Sequence, residues 1–303
     1  MLEPRGTVAA RVEGLWWLIF WIATVAFVVV LGFLFVAVIR ARRPDEPDRS
    51  SSPSGERFVI ASGVVVPAVV LIAVFVVSVR DTSDLARAGR SSRLVVDVVA
   101  HDWWWEVRYP NGGVTANEIH VPVGEPVRIR LQTADVIHSF WVPRLAGKVD
   151  NVPGRVNWTW LQADRPGRYR GQCAEFCGLQ HAKMEFVVVA QPASEFAAWL
   201  NDIASPAQAP TGVAAVGEQI FLGTTCVGCH AIEGTEADAT VGPDLTHLAD
   251  RETLMAGAVA NTRANLARVI THPQAVKPGA VMPPTDLSPD QLEALLDYLQ
   301  GLR

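Results

Sequence analysis

The stretch "GQCAEFCGLQHAKM", residues 171–184, holds two cysteines, a histidine and a methionine. The chain has only four cysteines and four methionines, and the other two cysteines stand together in "CVGCH", 226–230. Soft donors are thus confined to two clusters, and their chemistry decides how the surrounding sequence is read. Thiolate, imidazole and thioether together suit copper, so Cys173, Cys177, His181 and Met184 are the candidate ligands of the first cluster. Two thiolates are enough to bridge two copper ions, and such a pair needs a second imidazole. His138, in "DVIHSFWVP" at the end of an expected strand, is the candidate. Two rivals stay open. Zinc takes two Cys and a His but needs a fourth ligand and leaves Met184 superfluous. A Cys173–Cys177 disulfide, possible outside the cell, leaves His181 and Met184 without a task.

The second cluster reads as a haem c attachment signal, with Cys226 and Cys229 forming thioethers and His230 binding iron. Cys-x-x-Cys alone is shared with redox and zinc motifs; the histidine that follows sets this one apart. Met282, in "VMPP", is the expected sixth ligand. Met255 falls in a stretch read as helical and is assigned to the core, and His247 and His272 are weaker alternatives. Methionine–histidine ligation raises a haem's potential, as a donor to copper requires.

Around the first cluster, "RLVVDVVAHDWWWEVRYP", "EIHVPVGEPVRIRLQT", "VNWTWLQA" and "MEFVVVAQ" alternate apolar and polar residues, punctuated by "PNGG", "NVPG" and "DRPG". Short strands at this spacing indicate a β-sandwich or barrel. Of the three consecutive tryptophans, Trp104 or Trp105 is expected in its core. "ASEFAAWLNDIA" then reads as a helix and "SPAQAPTG" as a linker broken by Pro206 and Pro210. The last ninety residues switch to helical periodicity. Their final helix is marked by Ser288 as N-cap, Pro289, Gln291 three after the cap, and a stripe of Leu292, Leu295, Leu296 and Leu299.

Upstream, "LWWLIFWIATVAFVVVLGFLFVAVI" (15–39) and "FVIASGVVVPAVVLIAVFVVSV" (58–79) carry no charge. Each exceeds the roughly 20 residues a helix needs to cross a bilayer, and the first is too long for a signal-peptide core. Arg40, Arg42, Arg43, Arg49 and Arg57 lie between or beside the spans, against Arg5 and Arg11 before them. The positive-inside tendency therefore puts that loop in the cytoplasm and everything after residue 79 outside. Residues 213–303 hold 11 acidic against 5 basic side chains, whereas residues 94–191 balance at 10 and 10. Nothing in this distribution points to nucleic acid; the acidic last domain reads first as a solvated surface, with steering of a basic partner as the alternative.

"AHDWWWEVRYP", "NEIHVPVGEPV", "VIHSFWVPRLAGKVDNVPGR" and "GQCAEFCGLQHAKM", preceded by the apolar hairpin, together resemble subunit II of the haem–copper respiratory oxidases, over about residues 15–190. Residues 213–303, through "VGEQIFLGTTCVGCHAI", "VGPDLTHL" and "VMPP", resemble a class I cytochrome c. The resemblance implies a two-helix transmembrane hairpin with its connector (1–93), an all-β cupredoxin sandwich (94–191), a helix and linker (192–212) and an all-α class I cytochrome c domain (213–303). It implies a dinuclear CuA centre bridged by Cys173 and Cys177. His138 and His181 would each bind one copper, with Met184 as a weak ligand and the backbone carbonyl of Glu175 as another. The Glu175 side chain would help hold magnesium at the border with subunit I.

Trp103 falls where the family takes in electrons, and Phe221 and Tyr298 fall where haem contacts are expected. The family commonly has a glutamate early in the second membrane helix; that place is Ile60 here, with Glu56 the nearest acid. The resemblance further implies a bacterial cell-membrane protein with both soluble domains extracytoplasmic. Its partners would be subunit I, other membrane subunits, and an external donor such as a cytochrome c or the cytochrome bc complex. Its work would be to pass electrons from haem c to CuA and on to subunit I, for oxygen reduction with proton pumping. A flexible ten-residue linker would reach about 17 Å and make that transfer intramolecular. The electron-input subunit of a CuA-containing nitric oxide reductase and a copper-binding assembly protein are the alternatives.

Overall fold

The structure, a computed structural model, describes residues 3–41, 53–90 and 92–303. Residues 10–88 form one unit, and residues 89–303 with 3–9 form the other. In the first, α1 (Thr7–Ala41) is apolar and exposed around its whole circumference. A helix can present apolar groups on every side only to another apolar phase. The second long helix is built of α2 (Pro53–Ile60), a π-helical turn (Ala61–Val65) and α3 (Val66–Arg90). Pro67 explains the π turn: its ring crowds the carbonyl four residues back, at Gly63, and a locally wider turn relieves the clash. Ser62 and Ser78 return their hydroxyls to the carbonyls of Phe58 and Val74, so neither needs water.

Both helices outrun the apolar stretches. The segment 80–93, expected as a connector, is helical as far as Arg90. Its polar side chains sustain the helix through ion pairs, Arg87 with Asp84 at 2.9 Å and Arg11 of α1 with Asp81 at 2.8 Å. Of the arginines that set the orientation, Arg42, Arg43 and Arg49 lie outside the described residues.

The second unit opens with ten strands: β1 (Leu94–His101), β2 (Trp104–Arg108), β3 (Val114–Ala116), β4 (Glu118–Pro122), β5 (Val127–Thr133), β6 (His138–Trp141), β7 (Val149–Asn151), β8 (Asn157–Leu161), β9 (Gly167–Cys173) and β10 (Glu185–Gln191). They form two five-stranded sheets, ordered β3-β2-β1-β5-β8 and β4-β10-β9-β6-β7. Period-2 alternation turns Val96, Val98 and Ala100 of β1, and Ile129 and Leu131 of β5, inward against Phe140, Phe186 and Val188 of the facing sheet. Trp105, fully buried, fills the centre.

Helix α4 (Ala193–Asp202) closes one end of the sandwich with Phe196, and residues 205–211 follow without regular structure. The C-terminal region comprises α5 (Val213–Leu222), a ribbon of β11 (Thr253–Leu254) and β12 (Val259–Ala260), α6 (Arg263–Thr271), α7 (Pro273–Val276) and α8 (Pro289–Gly301). Ser288 and Gln291 make the expected capping box. Met255 is not helical: it sits in the turn of the β11–β12 ribbon at φ 56°.

The linker does not leave the two soluble parts apart. The Glu185 amide donates to the Ala256 carbonyl at 3.1 Å, and the Glu252 amide to Glu118 Oε1 at 3.2 Å. Arg168 bridges Glu118 and Glu252 at 3.3 and 2.9 Å. Direct packing thus replaces the free tether expected from composition.

Helices α5 and α8 cross at Gly217, where a Cβ would stand 2.0 Å from the Ala294 carbonyl oxygen. Only glycine admits that approach. Gly217→Ala is therefore expected to destabilise the C-terminal region by about 1–3 kcal/mol, the usual range for overpacking. Thermal unfolding followed by circular dichroism checks this.

Candidate metal centres

Strand pairing brings the first cluster together. β6 begins at His138 and pairs with β9, which ends at Cys173, in the register Phe140 opposite Cys173. The loop from β9 to β10 is tied at its base by the Cys173 amide donating to the Met184 carbonyl at 3.0 Å, and by Ala174 to Ser139 at 3.0 Å. A 3-10 turn at His181–Lys183 swings the imidazole back over the loop.

The result is a cluster of donors. Cys173 Sγ lies 3.8 Å from Cys177 Sγ, 3.9 Å from His138 Nδ1 and 3.2 Å from the Glu175 carbonyl oxygen. Cys177 Sγ lies 3.6 Å from His181 Nδ1 and 3.9 Å from Met184 Sδ. Two sulfurs 3.8 Å apart are not a disulfide, whose S–S length is near 2.05 Å, and all four cysteines are free. His138, Cys173 and Cys177 offer ligand atoms that all lie within 4.8 Å of one another. The donor set, with two thiolates, two imidazoles, a thioether and a carbonyl, fits a copper pair better than one zinc, which takes four ligands.

The same contacts act on the titratable groups. The neighbouring Cys177 thiol lowers Cys173 despite burial, and Cys177 is pushed up in turn. Burial lowers His138, but Asp135, with Oδ1 2.7 Å from Nε2, and Cys173 outweigh it, leaving the imidazole raised to about 9. A carboxylate can only accept from Nε2–H, so Nδ1 is left to face the sulfurs. Sequence reading missed Asp135; an acid three residues before a metal-binding histidine is the signal that marks it.

Trp103 donates its indole Nε1–H to the Cys177 carbonyl at 2.8 Å. Trp104 instead stacks on His101 at 4.2 Å, and His101 pairs with Glu106. His120, left unassigned by sequence, stacks on Trp199 at 3.9 Å. Glu175 meets Lys148 at 3.6 Å. Glu56 and Ile60 lie in α2, in the other unit.

A cavity of about 400 Å³ gathers Cys226, Cys229, His230, Phe221, Met282 and Met255. His230 Nδ1 lies 2.7 Å from the Pro243 carbonyl oxygen, which can only accept, so Nε2 keeps its lone pair for a metal. A Cβ at Gly242 would strike the His230 ring at 2.6 Å, so glycine makes room for the imidazole. Tyr298 is not in the lining: it packs behind Phe221, ring centroids 6.1 Å apart. His247 is buried against Ser205, and His272 bonds Thr271, both away from the cavity.

Arg251, which no sequence signal marked, lines the cavity at 7% exposure. Burial lowers its pKa, Nη2 donates to the Asp244 carbonyl, and Nε has no partner. A buried guanidinium with an orphaned N–H calls for a further acceptor. The acidic side chains of a tetrapyrrole supply one, and the cavity fits haem on that ground.

The fold and these donor clusters define a membrane-anchored cupredoxin joined to a cytochrome c domain. Residues 113–191 match the family described as cytochrome c oxidase subunit II, periplasmic domain, and residues 214–303 match cytochrome c. Cytochrome c oxidase subunit 2 of Alkalihalophilus pseudofirmus is 35% identical, covering all of this chain and 90% of that protein. The Bacillus subtilis protein of the same name is 32% identical, covering 100% and 91%. The crystal structure of the periplasmic domain of subunit II of cytochrome oxidase (CoxB) of Bradyrhizobium japonicum is 32% identical, covering 37% of this chain and 94% of that one, with a TM-score of 0.36. The chain belongs to the cytochrome c oxidase subunit II family and carries a cytochrome c domain. It is thus a membrane subunit of a haem–copper terminal oxidase, associated with subunit I, and copper as CuA and haem c follow from the family.

Asp135→Asn keeps the side chain's shape and removes the charge behind His138. Copper affinity is expected to fall about 10–100-fold, the usual effect of losing such a partner, as measured by competition with a chelator.

Proposed function

We propose that this chain takes electrons from an external donor into its cytochrome c domain, passes them to its CuA centre, and delivers them to subunit I for oxygen reduction coupled to proton pumping. The donor cluster of residues 138 and 173–184 carries the reading, because its six groups converge within hydrogen-bonding or near-contact range with both sulfurs inside. When bound, the copper pair and the haem each supply a one-electron couple of small geometric change.

The residues divide the work. Cys173 and Cys177 would be the shared thiolate ligands of the copper pair, His138 and His181 its imidazole ligands, and Met184 and the Glu175 carbonyl its weaker ones. Burial of both cysteines keeps water off the site, which would serve to carry electrons. Asp135 fixes the His138 tautomer. Cys226 and Cys229 would attach haem c covalently, His230 and Met282 would ligate its iron, and Arg251 would offset the charge of an acidic side chain. Trp103, bonded to Cys177, stands on the path between the two sites. The Glu175 carboxylate, as in the family, would help hold magnesium at the subunit I border.

The domain limits that follow are 1–93, 94–191, 192–212 and 213–303, with both soluble domains on the extracytoplasmic side of a bacterial membrane. A soluble cytochrome c or the cytochrome bc complex is the donor class that this arrangement serves.

Chemical analysis of the purified chain is expected to give two copper atoms, no stoichiometric zinc, and a haem that stays attached under denaturing mass spectrometry. Zinc in place of copper, or an unmodified chain mass, overturns the assignment. Arg251→Gln is expected to retain the haem and to lower its midpoint potential, because a positive charge is lost beside it; a potentiometric titration checks the sign.

A further inference from the structure

Lys277 is 3% exposed, and among the described residues no carboxylate lies within ion-pair distance of it. Its Nζ instead donates to three backbone carbonyls: Trp103 at 2.7 Å, Lys183 at 2.9 Å and Met255 at 2.9 Å. An ammonium has three protons, and each is taken. The three carbonyls come from turns, namely the one between β1 and β2, the 3-10 turn of the copper loop, and the turn of the β11–β12 ribbon. None of these oxygens sits in a strand or helix ladder, and closing the domains on them without a donor would leave them buried and unpaired.

The neighbours of Lys277 repeat the pattern. The Pro278 carbonyl accepts from Gln180 Nε2 at 2.7 Å. Gly279, at φ 84°, lies so close that a Cβ would meet Leu179 Cδ2 at 2.8 Å and the Trp103 ring at 3.6 Å. Residues 277–279 lead directly to Met282, so the segment that carries the expected iron ligand is the one seated on the copper loop. Trp103 is held from both sides, its carbonyl by Lys277 and its indole by Cys177.

We propose that Lys277 is a positioning residue that pins the cytochrome c domain to the copper loop in one fixed pose, so that the fused domain acts as a docked relay and not as a tethered shuttle. This rests on the electron path proposed above. Burying an unpaired ammonium is costly, and burial pulls Lys277 down to about 7. Three carbonyls at hydrogen-bond distance favour the charged form, which alone has three protons to give. The linker rests on the cytochrome c domain through Ser205 with His247 and Ala207 with Glu233, and the pose of that domain on the sandwich is set by the contact at Lys277.

The test uses the assembled oxidase. Haem c is reduced by a laser flash and the reduction of CuA is followed optically. Transfer in the wild type is expected to be a single phase that neither solvent viscosity nor a Gly–Ser extension of the linker at 205–212 alters. Lys277→Met is expected to slow it about tenfold or more, as small misplacements do, and to make it viscosity-dependent. The haem and copper spectra stay unchanged. Hydrogen exchange at the Glu185 and Glu252 amides, which donate across the contact, rises in the same variant. An unchanged rate and unchanged exchange in Lys277→Met, or slowing by the linker extension alone, overturns the proposal. If Lys277→Met does not assemble, Lys277→Gln is read by the same criteria. Absence of haem-to-copper transfer in the wild type would defeat the electron path itself, while exchange would still report whether Lys277 holds the contact.

Discussion

Two cysteine sulfurs 3.8 Å apart in a closed core cannot both be thiolates without a cation between them. At an effective dielectric constant near 20, two unit charges at such a distance repel by about 4 kcal/mol, and burial adds to that cost. One answer is an uneven pair, with Cys173 held low by its neighbour and Cys177 pushed up. Metal is the better answer. Bound copper would let both sulfurs be anionic, and the imidazoles of His138 and His181 would help to hold it. The register of β6 on β9 and the backbone hydrogen bond from Cys173 to Met184 hold the two sulfurs close together.

Much of this was legible in the sequence because the signals are local. Cys-x₃-Cys-x₃-His-x₂-Met is one loop, and the attachment motif at 226–230 is one turn. Uncharged runs state the spans, and Ser288 with Gln291 states a helix start. Alternation in β1 and β5 names their buried faces residue by residue. What local signals do not carry is where a helix stops when its apolar run ends. The polar tail to Arg90 stays helical through ion pairs that composition reads as a connector.

The residues that escaped are those whose role depends on a partner distant in the chain. Arg251 and Lys277 sit among ordinary surface-like residues, and only the fold reveals that both are buried. Met255 read as core helix because its neighbours are small and apolar, whereas it caps a two-residue ribbon at positive φ. Tyr298 lies one layer behind the cavity. The linker misled for a related reason: Pro and Ala in 205–212 describe a flexible chain, but the domains are fixed by residues far apart in sequence, Lys277 on three carbonyls and Arg168 between Glu118 and Glu252.

The claim beneath all of this is that the loop holds two coppers sharing bridging sulfur, and electron paramagnetic resonance of the oxidised protein tests it most directly. One unpaired electron spread over two equivalent copper nuclei gives a seven-line or collapsed mixed-valence pattern with small hyperfine splitting. A four-line spectrum from a single copper, or silence in a protein that contains zinc, would contradict the account.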